Sequence, residues 1–160
     1  MRRFKISATV FALAVCMGVS VAFAGEGKVL KVLPQFLDKK GREGLYPSLY
    51  ERDAYQVYLR KHPDERASLR LEVQWKAKNV DWSNVKLRAE MRGVSGNSLR
   101  AITLEQTAVK KGWFSTWAEF KISGDEFKQF GDLAAWHVSL WEGTTKLSEL
   151  KSSLWEPQGQ

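Results

Sequence analysis

Cysteine is nearly absent from this chain: Cys16 is the only one in 160 residues. No intramolecular disulfide can form, and no thiolate metal cluster can be assembled. Histidine is almost as scarce, with His62 and His137 alone. A zinc or copper centre would have to be built from carboxylates, against the usual preference of those metals, so neither a metal nor a cofactor is expected. The sequence holds no Gly-x-Ser-x-Gly elbow, no His-Glu-x-x-His pair and no glycine-rich phosphate loop. Carboxylates are plentiful, but Glu72, Glu90 and Glu119 alternate with apolar residues and sit among basic neighbours, where cross-strand charge pairing accounts for them. A glycosidase would need two carboxylates facing each other across a cleft, which spacing alone does not supply. No catalytic residue is assigned, and the chain reads as non-catalytic.

Long apolar runs are missing beyond residue 24, so no later segment reaches the roughly 20 residues of a transmembrane helix. The one apolar run is at the start. Arg2, Arg3 and Lys5 precede residues 6–21, and Ala22-Phe23-Ala24 follows before Gly25. A basic start, a short apolar stretch and an Ala-x-Ala site are the parts of a secretory signal peptide. Residues 1–24 are expected to be removed near Ala24, leaving a periplasmic or secreted protein. Cys16 follows Leu13-Ala14-Val15 and faintly resembles a lipoprotein box, but Val15 is bulky where a small residue is wanted and the apolar run continues past it. It is read as a small apolar residue within the signal.

Charge of one sign is not concentrated anywhere. The chain carries +7, and loss of Arg2, Arg3 and Lys5 lowers this to +4. Basic and acidic residues mix along the same strands, without the basic stripe of a nucleic-acid reader, so no nucleic-acid partner is expected. The surplus is compatible with weak attraction to an anionic polymer of the cell envelope, though mild basicity is the ordinary state of a solvated surface.

What remains is rich in alternation. Residues 25–155 are expected to form one domain, a size that buries enough surface to need no covalent staple. Residues 28–33 read as a first strand ended by Pro34. A helix is expected over about 47–62: Ser48 and Glu51 make a capping box, Tyr50, Ala54, Tyr58 and Leu59 fall at helical spacing, Arg60 and Lys61 suit the last turn, and Pro63 ends it. His62 lies at that helix end. From Leu69 the period changes to two. Leu69, Leu71, Val73, Trp75 and Ala77 alternate with Arg70, Glu72, Gln74, Lys76 and Lys78, and Val85, Leu87, Ala89 and Met91 repeat the pattern. Further strands are expected near 99–105, 116–123, 134–142 and 146–155, with Ile102, Leu104, Ala118, Phe120, Ile122, Trp136, Val138, Leu140, Leu150 and Leu154 inward. Phe127 and Phe130, between Gly124 and Gly131, suggest one helical turn over an end of the domain. Residues 156–160 form a loose polar tail.

Seven one-sided strands with turns every eight to twelve residues give a mainly β fold: a seven-stranded antiparallel sandwich with one inserted α-helix. Over residues 69–155 and the first strand, the chain resembles immunoglobulin and fibronectin-type domains. With Leu49-Tyr50-Glu51-Arg52-Asp53-Ala54-Tyr55 ahead of the sandwich, it is also similar to small exported bacterial proteins of unknown function. That resemblance implies a fold and no activity. The paired cysteines of antibody domains are absent, no Tyr precedes the sixth strand to form a corner, and Trp75 and Trp136 are expected to fill the core instead.

Aromatic residues are the candidate ligand-binding groups. Trp113 and Phe114 crowd one loop, Trp117 shares the outward phase of Glu119 and Lys121, and Trp141 shares that of His137 and Ser139. Exposed aromatics can stack on sugar rings or anchor a protein. The bland alternative is that Trp113 and Phe114 plug one end of the sandwich while Trp117 and Trp141 pack under the helix; loop residue Trp82 invites the same two readings. Tyr46, Tyr50, Tyr55 and Tyr58 cannot all share one helical face, so at least one must be exposed. The expected function is an exported binding or assembly module with a protein partner; the alternative is carbohydrate binding through the tryptophans.

Overall fold

The computed structural model describes residues 25–109 and 115–155. The segment 1–24 expected to be a signal peptide, the aromatic pair Trp113 and Phe114, and residues 156–160 lie outside these residues. The element order is β1 (Glu26–Asp38), α1 (Leu49–Lys61), a 3-10 turn (Pro63–Glu65), β2 (Arg66–Lys78), β3 (Val85–Ser95), β4 (Ser98–Thr107), β5 (Thr116–Ser123), α2 (Gly124–Phe130), β6 (Asp132–Glu142) and β7 (Thr145–Lys151). The expected strands are all present among them, and the single turn at Phe127 is a seven-residue second helix.

Two antiparallel sheets result, β1-β2-β5 and β4-β3-β6-β7. Their inward residues form one core: Leu69, Leu71 and Val73 of β2, Phe120 and Ile122 of β5, Leu87, Ala89 and Met91 of β3, and Val138 and Leu140 of β6. These are the residues that alternation assigned inward, and the arrangement is consistent with a β-sandwich. Trp75, 1% exposed, fills the core near one end and packs its ring against Trp82, with 6.2 Å between centroids. Trp82 is thereby a core neighbour rather than a free loop residue. Trp136 faces inward opposite Met91 but stays half-buried. The last strand is shorter than expected, ending at Lys151, and Ser152 then donates its N–H to the Trp136 carbonyl and accepts from the Trp136 N–H through its hydroxyl. The chain turns after Lys151, so Leu154 is exposed, and Trp155 folds back over Arg92 and His137.

Pro34 does not end β1. That strand is the edge of its sheet, and Gln56 of α1 holds both the N–H and the carbonyl of Phe36. Backbone groups of one residue in an antiparallel strand point the same way, and those two residues away follow them. Pro34 therefore turns its missing N–H to the unpaired side, where no ladder bond is lost. An irregularity between Val29 and Lys31 lets Leu30 bulge outward. At the start of the strand, a Cβ on Gly27 would lie 2.6 Å from Leu140, so only glycine lets β1 pass this close to the second sheet.

Removing the Trp75 indole opens a cavity that the surrounding strands cannot close. Trp75→Ala should cost about 3–5 kcal/mol in urea unfolding, and a loss within error of zero would show that Trp75 does not support the core.

Candidate functional site

Helix α1 is built to read a strand edge. Its inner stripe is half-buried Arg52 and Tyr55 with buried Gln56 and Leu59, spaced i, i+3, i+4 and i+7. The stripe expected from the sequence was Tyr50, Ala54, Tyr58 and Leu59; only Leu59 is buried, while Tyr50 is 80% exposed. The reason is polar. The Gln56 side-chain amide donates to the carbonyls of Phe36 (2.9 Å) and Glu43 (2.8 Å) and accepts from the Phe36 N–H (2.8 Å). Three bonds to buried backbone outweigh the apolar surface that another rotation would cover.

The two ends of α1 are fixed separately. Ser48 stands at the N-cap position but its side chain makes no capping bond, so the expected capping box does not form. At the other end, the Arg66 guanidinium donates to the carbonyls of Leu59 (2.5 Å) and Arg60, pairs with Asp132, and lies 4.3 Å from the Phe36 ring centroid. His62 donates through Nδ1 to the Tyr58 carbonyl at 2.9 Å. Ahead of the helix, buried Asp38 gathers the Lys40 and Arg42 N–H groups, the Arg42 guanidinium and the Tyr55 hydroxyl, at 2.8–2.9 Å. Burial alone would raise its pKa; the hydrogen bonds from Arg42, Tyr55 and Lys40 outweigh it and hold it at about 2, below the usual 3.8.

With that face engaged, the apolar residues of α1 turn to solvent. Leu45, Tyr46, Leu49, Tyr50, Val57 and Tyr58 are all exposed, half of the exposed large hydrophobic side chains among the described residues. Tyr50, Ala54 and Val57 follow at i, i+4 and i+7, one continuous stripe. Tyr58 stacks between Tyr55 and His62, and its hydroxyl donates to Glu65 at 3.0 Å. At least one exposed tyrosine was required; Tyr46 and Tyr50 are the most open.

Trp117, the second candidate, is 46% exposed on the outer face of β5, as its phase required. It borders a groove of about 460 Å³ whose walls include Glu72, Trp75, Gln106, Thr107 and Glu119 together with apolar Ala108, Val109 and Ala118. Trp141 differs. It too faces outward, on β6, but its indole N–H donates to buried Ser139 at 2.8 Å and the Arg88 guanidinium lies 5.3 Å from its ring centroid, so it is half-buried against its own sheet. Neither tryptophan lies under α1, which packs on β1.

The outer face around Trp141 is laced by charge pairs. Arg88 meets Glu105 at 2.5 Å, and His137 is held between Glu90 (2.8 Å, Nδ1) and Glu149 (3.0 Å, Nε2). Lys146 and His137 together hold the Glu149 carboxyl below the usual carboxylate range. Both nitrogens of His137 are thus engaged by carboxylates. Comparisons with known protein families, curated proteins and solved structures found no match.

Because the folded pKa of Asp38 is lowered, its contribution to stability is complete above the unfolded value near 4 and disappears as pH falls through about 2. Asp38→Asn should therefore lower stability at pH 7, and the gap to the unmutated protein should narrow steadily from pH 4 to pH 2 in urea titrations. A gap independent of pH would refute this role.

Proposed function

We propose that this chain is an exported, non-catalytic binding module that docks another protein of the cell envelope through α1. The observation that carries the reading is the apolar stripe of Tyr50, Ala54 and Val57, extended by Leu45, Tyr46 and Leu49 and open to solvent on a helix whose other face is fully used. Monomeric proteins rarely keep so continuous an apolar surface uncovered. Its surroundings favour a protein over a lipid surface: Glu51, Asp53, Asp64 and Glu65 lie alongside Arg60 and Lys61, giving the mixed charged rim of a protein interface. A helix lying on an anionic bilayer would carry a predominantly basic rim.

The fold supporting the helix is proposed to be immunoglobulin-like, of the fibronectin variety. The strand orders support this: β1-β2-β5 forms one sheet, and β4 joins β3, β6 and β7 in the other. Export rests on the signal pattern of residues 1–24. Protein recovered from its native envelope should begin at Gly25 by mass spectrometry, and recovery with residues 1–24 intact would overturn export by cleavage.

The docking face is tested with a Tyr50→Ser, Val57→Ser double variant, both sites being exposed and outside the core. The unmutated protein should retain a partner in near-equal amount at high salt, and the variant should lose it while its unfolding midpoint stays within a few degrees. Identical recovery by both proteins, or by neither, would sink the reading.

A further inference from the structure

The sheet order puts β1 and β5 at opposite edges of the three-stranded sheet. The groove at β5 is thus distant from α1 and has its own chemistry. Trp117 offers an exposed aromatic face at its border. Glu72 and Glu119 stand directly opposite each other on β2 and β5, a pairing of like charges that costs stability unless something holds it. Arg70 holds it, at 3.2 Å from Glu72 and 3.8 Å from Glu119. Two ionised carboxylates are thereby fixed as oriented acceptors beside an aromatic platform. Gln106 adds an amide that both donates and accepts, and Thr107 adds a hydroxyl.

Trp75 forms part of the inner wall, with its ring in the core. The volume suits one or two sugar rings.

We infer that this groove binds a neutral saccharide, with a pyranose ring seated on Trp117 and its hydroxyls donating to Glu72 and Glu119. An aromatic face next to oriented acceptors fits a ring that has C–H groups on one side and hydroxyls at its rim. The two carboxylates repel uronic acids and sulfated sugars, so the ligand is uncharged although the whole chain is basic. The inference goes beyond the docking reading and does not depend on it. An extended peptide added to the free edge of β5 is the competing occupant; it would bind through backbone groups and make little use of Trp117 or of the carboxylate pair.

Calorimetric titration tests it with neutral hexasaccharides of glucose, galactose, mannose and N-acetylglucosamine, and with a hexauronate as the charged probe. At least one neutral hexasaccharide should bind, and the hexauronate should bind at least about tenfold more weakly. Trp117→Ala, at an exposed position, should weaken the neutral sugar about tenfold or more without moving the unfolding midpoint. Gln106→Ala should weaken it too, whereas the Tyr50→Ser, Val57→Ser variant should bind as the unmutated protein does. Binding of no neutral sugar, or equal binding by Trp117→Ala, would overturn the inference. Loss of the protein partner alone would leave it standing.

Discussion

The free edge of β1 is the constraint around which the molecule is arranged. Thirteen residues of strand present backbone groups on a side where no further strand pairs. An uncovered edge of that length invites pairing with other chains. Different residues answer it along its length. The Ser148 hydroxyl of β7 accepts from the Val29 N–H at 3.1 Å, Pro34 has no N–H to satisfy, and Gln56 takes both groups of Phe36. Helix α1 is less an ornament on the sandwich than the cover of its first edge, with Arg66 and Asp38 fixing where that cover sits.

This explains why the helix looks inside out. A helix packed on a sheet face would bury its leucines and tyrosines, but one packed on a strand edge must first satisfy amides. Gln56 needs to approach the backbone closely, with Leu59 beside it and Tyr55 reaching Asp38. The rotation that achieves this directs Tyr50, Ala54 and Val57 outward. The apolar stripe exposed by that choice is what makes an interface the best reading of α1.

The β framework was legible because alternation is a local signal. Each of β2, β3 and β5 has one face in the core, so apolar and polar residues must alternate there, and the inward sets read from the sequence are those found in the shared cluster. What was not legible depended on neighbours distant in sequence. Whether Pro34 ends a strand depends on which side is paired, and whether Tyr50 or Tyr55 is buried depends on what lies beneath the helix. The buried role of Gln56 runs against every hydrophobic pattern. Among the tryptophans, the phase of Trp117 and Trp141 correctly put both on outer faces. It could not tell that Ser139 and Arg88 close over one while the other borders a groove. The glutamate pair beside Trp117 looked like ordinary cross-strand charge, because its partner Arg70 serves three carboxylates at once, Glu43, Glu72 and Glu119, and only the fold makes that visible.

The two edges of the three-stranded sheet are thus treated in opposite ways. At β1 the backbone is satisfied by side chains and a helix, and the proposed docking surface is the far side of that helix. At β5 the edge runs on directly into α2, and the groove beside it is lined by Glu72 and Glu119, both paired with Arg70. Most of the charge on the second sheet is spent within the molecule, in pairs such as Arg88 with Glu105 and Lys146 with Glu149. Such exposed pairs add little to stability. The surfaces proposed to bind are the two beside the three-stranded sheet, one apolar and one polar with two carboxylates in its lining. Lying at opposite edges of the sheet, they should respond independently to substitution at Tyr50 and Val57 on one side and at Trp117 on the other.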